Sequence, residues 1–155
     1  NARAHVQWAA TVALNGWIQS GSGSAGYPVH MMEHTVSAHH DITHAAGLAI
    51  INPAWMRFAA KANPAKFVQF AERIFGLSAK GPDDLECALA GIDRLEAFLK
   101  SIGCPTRFSD LGIDDSLIET YAEETLRIIH DGNGRLPARP PMSGAEIIAV
   151  LRAAL

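Results

Sequence analysis

Apolar residues recur at helical spacing along most of this 155-residue chain, and no segment shows the strict apolar–polar alternation of a β-strand. Proline and glycine residues divide this pattern into segments of helix length. We find no internal repeat. The pattern therefore predicts an all-α fold, a helical bundle formed by one domain over residues 1–155.

Glycine, proline and capping residues mark approximate helix bounds, which are 2–19, 29–38, 43–63, 65–75, 83–103, 115–129 and a last helix from 143. Pro53 predicts a kink near Ile51–Asn52. Gly76 is a suitable residue to end the fourth helix, and Asp115 is a candidate cap for the sixth. Ser143 and Glu146 match a capping box at the start of the last helix.

Charge and cysteine content exclude several classes of protein. The net charge of −3 lacks the basic excess that is typical of nucleic-acid binders. Cys87 and Cys104 do not form a C-x-x-C motif, so we expect free thiols in a reducing compartment. Because no apolar run could span a bilayer and no signal segment is present, we expect a cytoplasmic protein without a membrane partner. The sequence leaves the oligomeric state open and is compatible with a homo-oligomer.

The segment Gly21–Gly26 matches the G-x-G-x-x-G pattern of dinucleotide-binding loops. That function requires a preceding strand and a helix directly afterwards, because the phosphates bind at the N-terminus of that helix. Here a predicted helix precedes the glycines and Tyr27-Pro28 follows them. We therefore interpret the segment as a flexible loop between two helices.

Histidines are concentrated in one short stretch, which is the strongest chemical signal in the chain. Five of the seven lie between positions 30 and 44, together with Glu33 and Asp41, and they are His30, His34, His39, His40 and His44. His39 and His40 are adjacent and point to different sides, so at least one of them has no part in a shared site. His5 and His130 have no partners nearby in sequence.

The spacing of these histidines requires the chain to turn back on itself if they share one site. His30 and His34 lie one turn apart on the same helix face. His44 would be about 21 Å from His30 on an unbroken helix, too far to bind the same ion. Asp41 is a good N-cap, which would place His44 in the first turn of a new helix. A helix N-terminus disfavours the imidazolium form and would help to keep His44 neutral for metal binding.

The histidine stretch allows two further interpretations. Residues His30–His34 read H-x-x-E-H, the pattern of a family of metalloproteases in which Glu33 would be the general base. That interpretation gives His44 no role. The histidines could also be incidental features of a non-catalytic helical module.

The stretch from His30 to Pro53, HMMEHTVSAHHDITHAAGLAIINP, resembles the signature region of iron-containing alcohol dehydrogenases, especially the butanol-dehydrogenase branch. The shared features are H-x-x-x-H, a third histidine fourteen residues after the first of these two, and an apolar helix that leads to a proline. The resemblance extends over most of the chain and includes the segments Ala10–Gly16, Asn52–Arg57, Gly103–Thr106 and Asp110–Gly112.

The resemblance implies the C-terminal helical domain of the dehydroquinate synthase-like fold of these dehydrogenases. It implies that His30 and His44 are ligands of a catalytic Fe²⁺ or Zn²⁺, and that His34 is a non-ligand histidine beside substrate and nicotinamide. The implied reaction is hydride transfer between NAD(P)(H) and a short primary alcohol or aldehyde. The resemblance does not decide between iron and zinc or between NAD and NADP.

The chain departs from the family pattern in one respect. Family members supply two more ligands in a D-x-x-x-H motif, which this sequence lacks, and it also lacks a nucleotide-binding α/β domain. Because two histidines cannot complete a four-ligand site, we expect the isolated chain to be inactive and to bind metal weakly. We expect its partner to be its own N-terminal nucleotide-binding domain, and an apolar, histidine-lined surface to be exposed without it.

Overall fold

The computed structural model describes residues 1–21 and 26–155, and within these ranges the chain forms α-helices and no β-strand. The prediction of an all-α bundle is therefore confirmed. The helices are α1 (Ala2–Leu14), α2 (Pro28–His40), α3 (His44–Ala62), α4 (Pro64–Phe75), α5 (Leu85–Ser101), α6 (Ile118–Ile128) and α7 (Gly144–Arg152). Short 3₁₀ helices occur at Trp17–Gln19 and Phe108–Leu111.

Helix α3 lies at the centre of the bundle, in contact with α2, α4, α5 and α7. Its sequence is apolar over most of its circumference, which suits a helix covered on several sides. One core cluster joins α2, α3, α6 and α7, with Met32, Ile51 and Ile147 fully buried. A smaller cluster of Met56, Ala60 and Ile92 joins α3 to α5, and Phe67 and Phe70 of α4 pack against it. The central position of α3 fixes the position of its first residue, His44.

Helix α1 is shorter than predicted and lies at the surface. The helix ends at Leu14 instead of Gln19, because Gly16 adopts a left-handed conformation with φ of 83°. None of the residues of α1 is buried. The amphipathic pattern thus predicted a helix correctly, but its apolar side chains are not packed into the core.

Most of the other predicted bounds are close to those observed, but the predicted cap of the sixth helix was wrong. α5 begins after Asp84, whose side chain accepts a hydrogen bond from the Cys87 amide at 3.0 Å. α6 begins after Leu117, not at Asp115. The Ser143–Glu146 capping box and Gly76, with φ of 66°, are confirmed. α3 continues through the buried Pro53.

Three further expectations bear on the class of protein. Both cysteines are free, as predicted. In the described part of the chain, no helix has the length and apolar character needed to cross a membrane. The glycine-rich segment lies largely outside the described residues, since 22–25 are not among them.

Candidate functional site

Three histidines converge where α2 and α3 meet. His30 and His34 lie one turn apart on α2, and His44 is the first residue of α3. The ring centroid of His44 lies 5.2 Å from that of His30 and 5.4 Å from that of His34. The His30 and His34 centroids are 6.3 Å apart. The chain reversal that the spacing required is therefore present.

The reversal forms differently from the prediction. Asp41 does not cap α3; it ends α2 in a left-handed conformation with φ of 50°, and its amide donates to the Ser37 carbonyl at 2.9 Å. Aspartate tolerates this conformation better than most residues, because its short polar side chain can bond locally. Thr43 is the N-cap of α3. His44 nevertheless lies in the first turn of α3, as expected.

A buried carboxylate lies under the histidines. Glu33 is fully buried, and its two oxygens are bonded to two different side chains. Oε2 pairs with Nδ1 of His44, and Oε1 accepts a hydrogen bond from the Ser37 hydroxyl. A carboxylate oxygen accepts, so in the neutral His44 ring this pairing places the proton on Nδ1 and leaves the lone pair on Nε2.

In the part of the chain that the structure describes, one group of donor atoms is compact enough to hold a metal ion. It consists of Glu33, His34 and His44, whose ligand atoms lie within 4.8 Å of one another. His30 is not in this group, although its ring is adjacent to that of His44. The geometry thus brings the predicted site residues together without assigning their roles.

The environment of His30 favours its neutral form. Burial lowers the pKa of His30, and the neighbouring His44 and His34 rings lower it further, against the opposing effect of Glu33. Neutral imidazole is the form that binds a metal ion. His34 and His44 are more exposed, with 47% of the His44 side chain accessible.

An apolar cavity of about 590 Å³ opens beside His30. Its walls come from α2, α3, α5 and the residues that follow α5, and they include Leu48, Trp55, Leu95, Leu99 and Cys104. A volume of this size is typical of small-molecule sites. The cavity agrees with the expectation of an apolar, histidine-lined surface in this region.

The other histidines lie outside the cluster. His39 pairs with Glu124 at 2.9 Å, and His40 is bonded to the Tyr121 hydroxyl, so both face α6. His5 lies on the exposed face of α1. Nδ1 of His130 is bonded to the Asp131 carbonyl at 2.8 Å.

The pairing of Glu33 with His44 was not predicted from the sequence. One signal could have indicated a close contact at this point: Gly47, a poor helix former, lies inside the predicted third helix one turn after His44. The small residue at position 47 leaves room for the carboxylate opposite it.

Comparison with known proteins agrees with the geometry. A family model described as "Fe-containing alcohol dehydrogenase family, C-terminal" matches residues 1–155. The chain is 37% identical over 153 residues to a probable NADH-dependent butanol dehydrogenase of Bacillus subtilis, covering 99% of this chain and 38% of that protein. It is 40% identical over 116 residues to the NADPH-dependent aldehyde reductase YqhD of Escherichia coli, covering 75% of this chain and 29% of that protein.

A solved structure shows the same fold. The crystal structure of an NADH-dependent butanol dehydrogenase from Thermotoga maritima superimposes with a TM-score of 0.88 at 34% identity, over 99% of this chain and 39% of that one. The chain therefore spans about two fifths of the length of these relatives. Because the family model matches from the first residue to the last, the chain belongs to the iron-containing alcohol dehydrogenase family and corresponds to its C-terminal helical region.

Proposed function

We propose that this chain provides His30 and His44 as two protein ligands of a divalent metal ion in an NAD(P)-linked alcohol dehydrogenase or aldehyde reductase. The main support is the convergence of three imidazoles from two helices beside an apolar cavity, in a chain of this family. Fe²⁺ and Zn²⁺ both suit imidazole ligands.

The residues present fit part of a metal site. Neutral imidazole nitrogens are suitable donors, and the lowered pKa of His30 keeps this ring available at neutral pH. Two histidines are too few for a closed four-ligand site. We therefore propose that an N-terminal nucleotide-binding domain supplies the remaining ligands and most of the NAD(P)H contacts. This division agrees with relatives more than twice as long as the chain.

When bound, the divalent ion would act as a Lewis acid on a carbonyl oxygen, and the nicotinamide would exchange hydride with the carbonyl carbon. His34 is exposed beside the other two rings, where it can orient the substrate and exchange a proton with its oxygen. The apolar cavity beside His30 can hold an alkyl chain. We therefore propose a short primary alcohol or aldehyde as substrate, in agreement with the butanol dehydrogenases and aldehyde reductase among the relatives.

The metalloprotease interpretation has less support. There, Glu33 would have to reach a water molecule in an open site as a general base. Instead, Glu33 is fully buried and both of its oxygens are bonded to side chains. This arrangement suits a supporting role better than proton transfer to solvent.

Histidine substitutions in the full-length protein test the proposed roles. His30→Ala and His44→Ala should each lower metal content, because each would remove a ligand. His34→Asn should retain the metal but lower kcat by about 10²–10⁴-fold, the usual contribution of a positioned acid or base. Metal content would be measured by elemental analysis, and activity by butanal-dependent NADH or NADPH oxidation.

His39→Ala is a suitable control, because His39 pairs with Glu124 outside the cluster and both readouts should stay unchanged. If His44→Ala kept its metal while His34→Asn lost it, the metalloprotease ligand set would be supported instead. The 155-residue chain on its own should show no NAD(P)H oxidation and weaker metal binding than the full-length protein.

A further inference from the structure

Glu33 occupies an unusual position for a charged side chain. Its exposure is 0%, and only Thr35 and Thr125 join it among the buried polar residues of the described chain. A buried carboxylate is costly unless its oxygens find partners. Glu33 has two partners from two directions, namely Ser37 one turn along α2 and His44 on α3.

The opposite helix is shaped to make room for this carboxylate. A Cβ atom on Gly47 would lie 2.6 Å from Cγ and 2.8 Å from Oε1 of Glu33, both too close for any real side chain. Gly47 lies in the first turns of α3, after Ala45 and Ala46, where alanine would otherwise favour the helix more. The glycine lets the α3 backbone approach Glu33 closely, and it does so one turn beyond His44.

We propose that Glu33 is a positioning residue for His44 in the metal site, an inference that rests on the proposed function. The carboxylate holds the proton of His44 on Nδ1, so that Nε2 presents its lone pair to the metal. It also restricts the orientation of a ring that is otherwise 47% exposed. Carboxylates that accept from the distal nitrogen of a metal-bound histidine raise the basicity of the ligand and fix its tautomer.

A direct ligand role for Glu33 is the competing assignment, since its carboxylate lies within 4.8 Å of donor atoms of His34 and His44. Two observations favour the positioning role. Both oxygens are already bonded to protein side chains, and the side chain is fully buried while His34 and His44 are exposed.

Titration of the metal-free full-length protein with Co²⁺ separates these roles. Glu33→Gln keeps the side-chain volume and a carbonyl oxygen for the Nδ1 proton but removes the charge. We expect Glu33→Gln to bind Co²⁺ about 10–100-fold more weakly, the usual effect of losing such a partner. At saturation it should give the visible absorption bands of the wild type, because the ligand set is unchanged.

Glu124→Gln is the matched control, because it makes the same substitution in a partly exposed carboxylate outside the cluster, which pairs with His39. Its Co²⁺ affinity should equal that of the wild type. Urea unfolding of each metal-free variant is measured in parallel, so that a loss of affinity with unchanged stability separates positioning from a general structural role.

The outcomes are distinguishable. If wild-type protein binds no Co²⁺, the proposed metal site is wrong. If wild type binds Co²⁺ and folded Glu33→Gln binds it equally well, only the positioning role is overturned. Altered absorption bands at saturation would overturn it in favour of direct ligation. If Glu33→Gln does not fold, Ser37→Ala takes its place as the test variant. A loss of Co²⁺ affinity in Ser37→Ala, smaller than the loss expected for Glu33→Gln, would support the positioning role. Wild-type Co²⁺ affinity in folded Ser37→Ala would overturn it.

Discussion

Helix α1 and the α2–α3 pair are helices of similar character in sequence, yet they differ completely in packing. Both have apolar residues at helical spacing, but α1 buries none of its residues whereas α2 and α3 bury many of theirs. Large apolar side chains remain exposed on α1 and in the turn after it, namely Val6, Trp8, Leu14, Trp17 and Ile18. The difference shows that helical periodicity identifies a face that can be buried, while burial itself depends on a second surface.

The comparison also shows in which region a small change of side chain should disturb the structure. At the α2–α3 contact, a single added atom matters, because a Cβ atom on Gly47 would need the space that the Glu33 side chain fills. On α1, side chains as large as Trp8 meet mostly solvent. The two regions of the 155-residue chain should therefore respond very differently to similar substitutions.

Truncation of a large apolar side chain should give the largest contrast. Met32 is fully buried in the main core, so Met32→Ala should lower the free energy of unfolding by about 2–5 kcal/mol through lost burial and cavity formation. Trp8 is 67% exposed, and Trp8→Ala should change the free energy of unfolding by about 0.5 kcal/mol or less. Urea unfolding of the two variants would measure the difference, and equal losses would contradict the packing described here.

Addition of one methyl group at the α2–α3 contact should have a smaller effect. Gly47→Ala should cost about 1–3 kcal/mol, because the new Cβ would collide with Glu33. Gly144→Ala is the matched change in α7, where the nearest atom would lie at an ordinary 3.5 Å and the effect should be neutral or slightly stabilising. Thermal unfolding would compare the two variants. In a Glu33→Ala background the cost of Gly47→Ala should shrink, and an unchanged cost would mean that the strain lies elsewhere.

Acidification should have the smallest effect, through His30. Its pKa is lowered in the folded chain by burial and by the adjacent His44 and His34 rings. As the pH falls through the ordinary histidine value of about 6.5, the unfolded chain binds a proton that the folded chain resists. Stability should therefore decrease towards lower pH and recover above the ordinary value.

Urea midpoints at pH 7.5 and 5.5, measured with a chelator present, would test this effect. His30→Gln should show a weaker dependence on pH between these two conditions than the wild type. His130→Gln is the control, because His130 is exposed and bonded only to the adjacent Asp131 carbonyl among the described contacts. A wild-type dependence that persists unchanged in His30→Gln would assign the effect to other groups.

The sequence by itself determined the helices and indicated a site that several of the clustered histidines could share. Helix formation depends on residues three and four positions apart, so local spacing predicted the all-α fold and the Ser143–Glu146 cap. The separation of His30 and His44 required a reversal for any shared site, and the reversal lies between α2 and α3. The family resemblance, confirmed over the whole chain, added the chemical interpretation of these positions.

Tertiary structure decided which side chains meet across helices. Local spacing could not show that Glu33 is buried under His44, since the contact depends on how closely α3 approaches α2 at Gly47. Nor could it show that α1 stays exposed, because α1 has an apolar face as the covered α2 does. Asp41 shows the same limit of local sequence. An aspartate suits the N-cap of a helix, which was predicted for α3, and it also tolerates the left-handed conformation in which it ends α2. Contacts between distant segments form only when the whole core is assembled, and they determine the environment of the site.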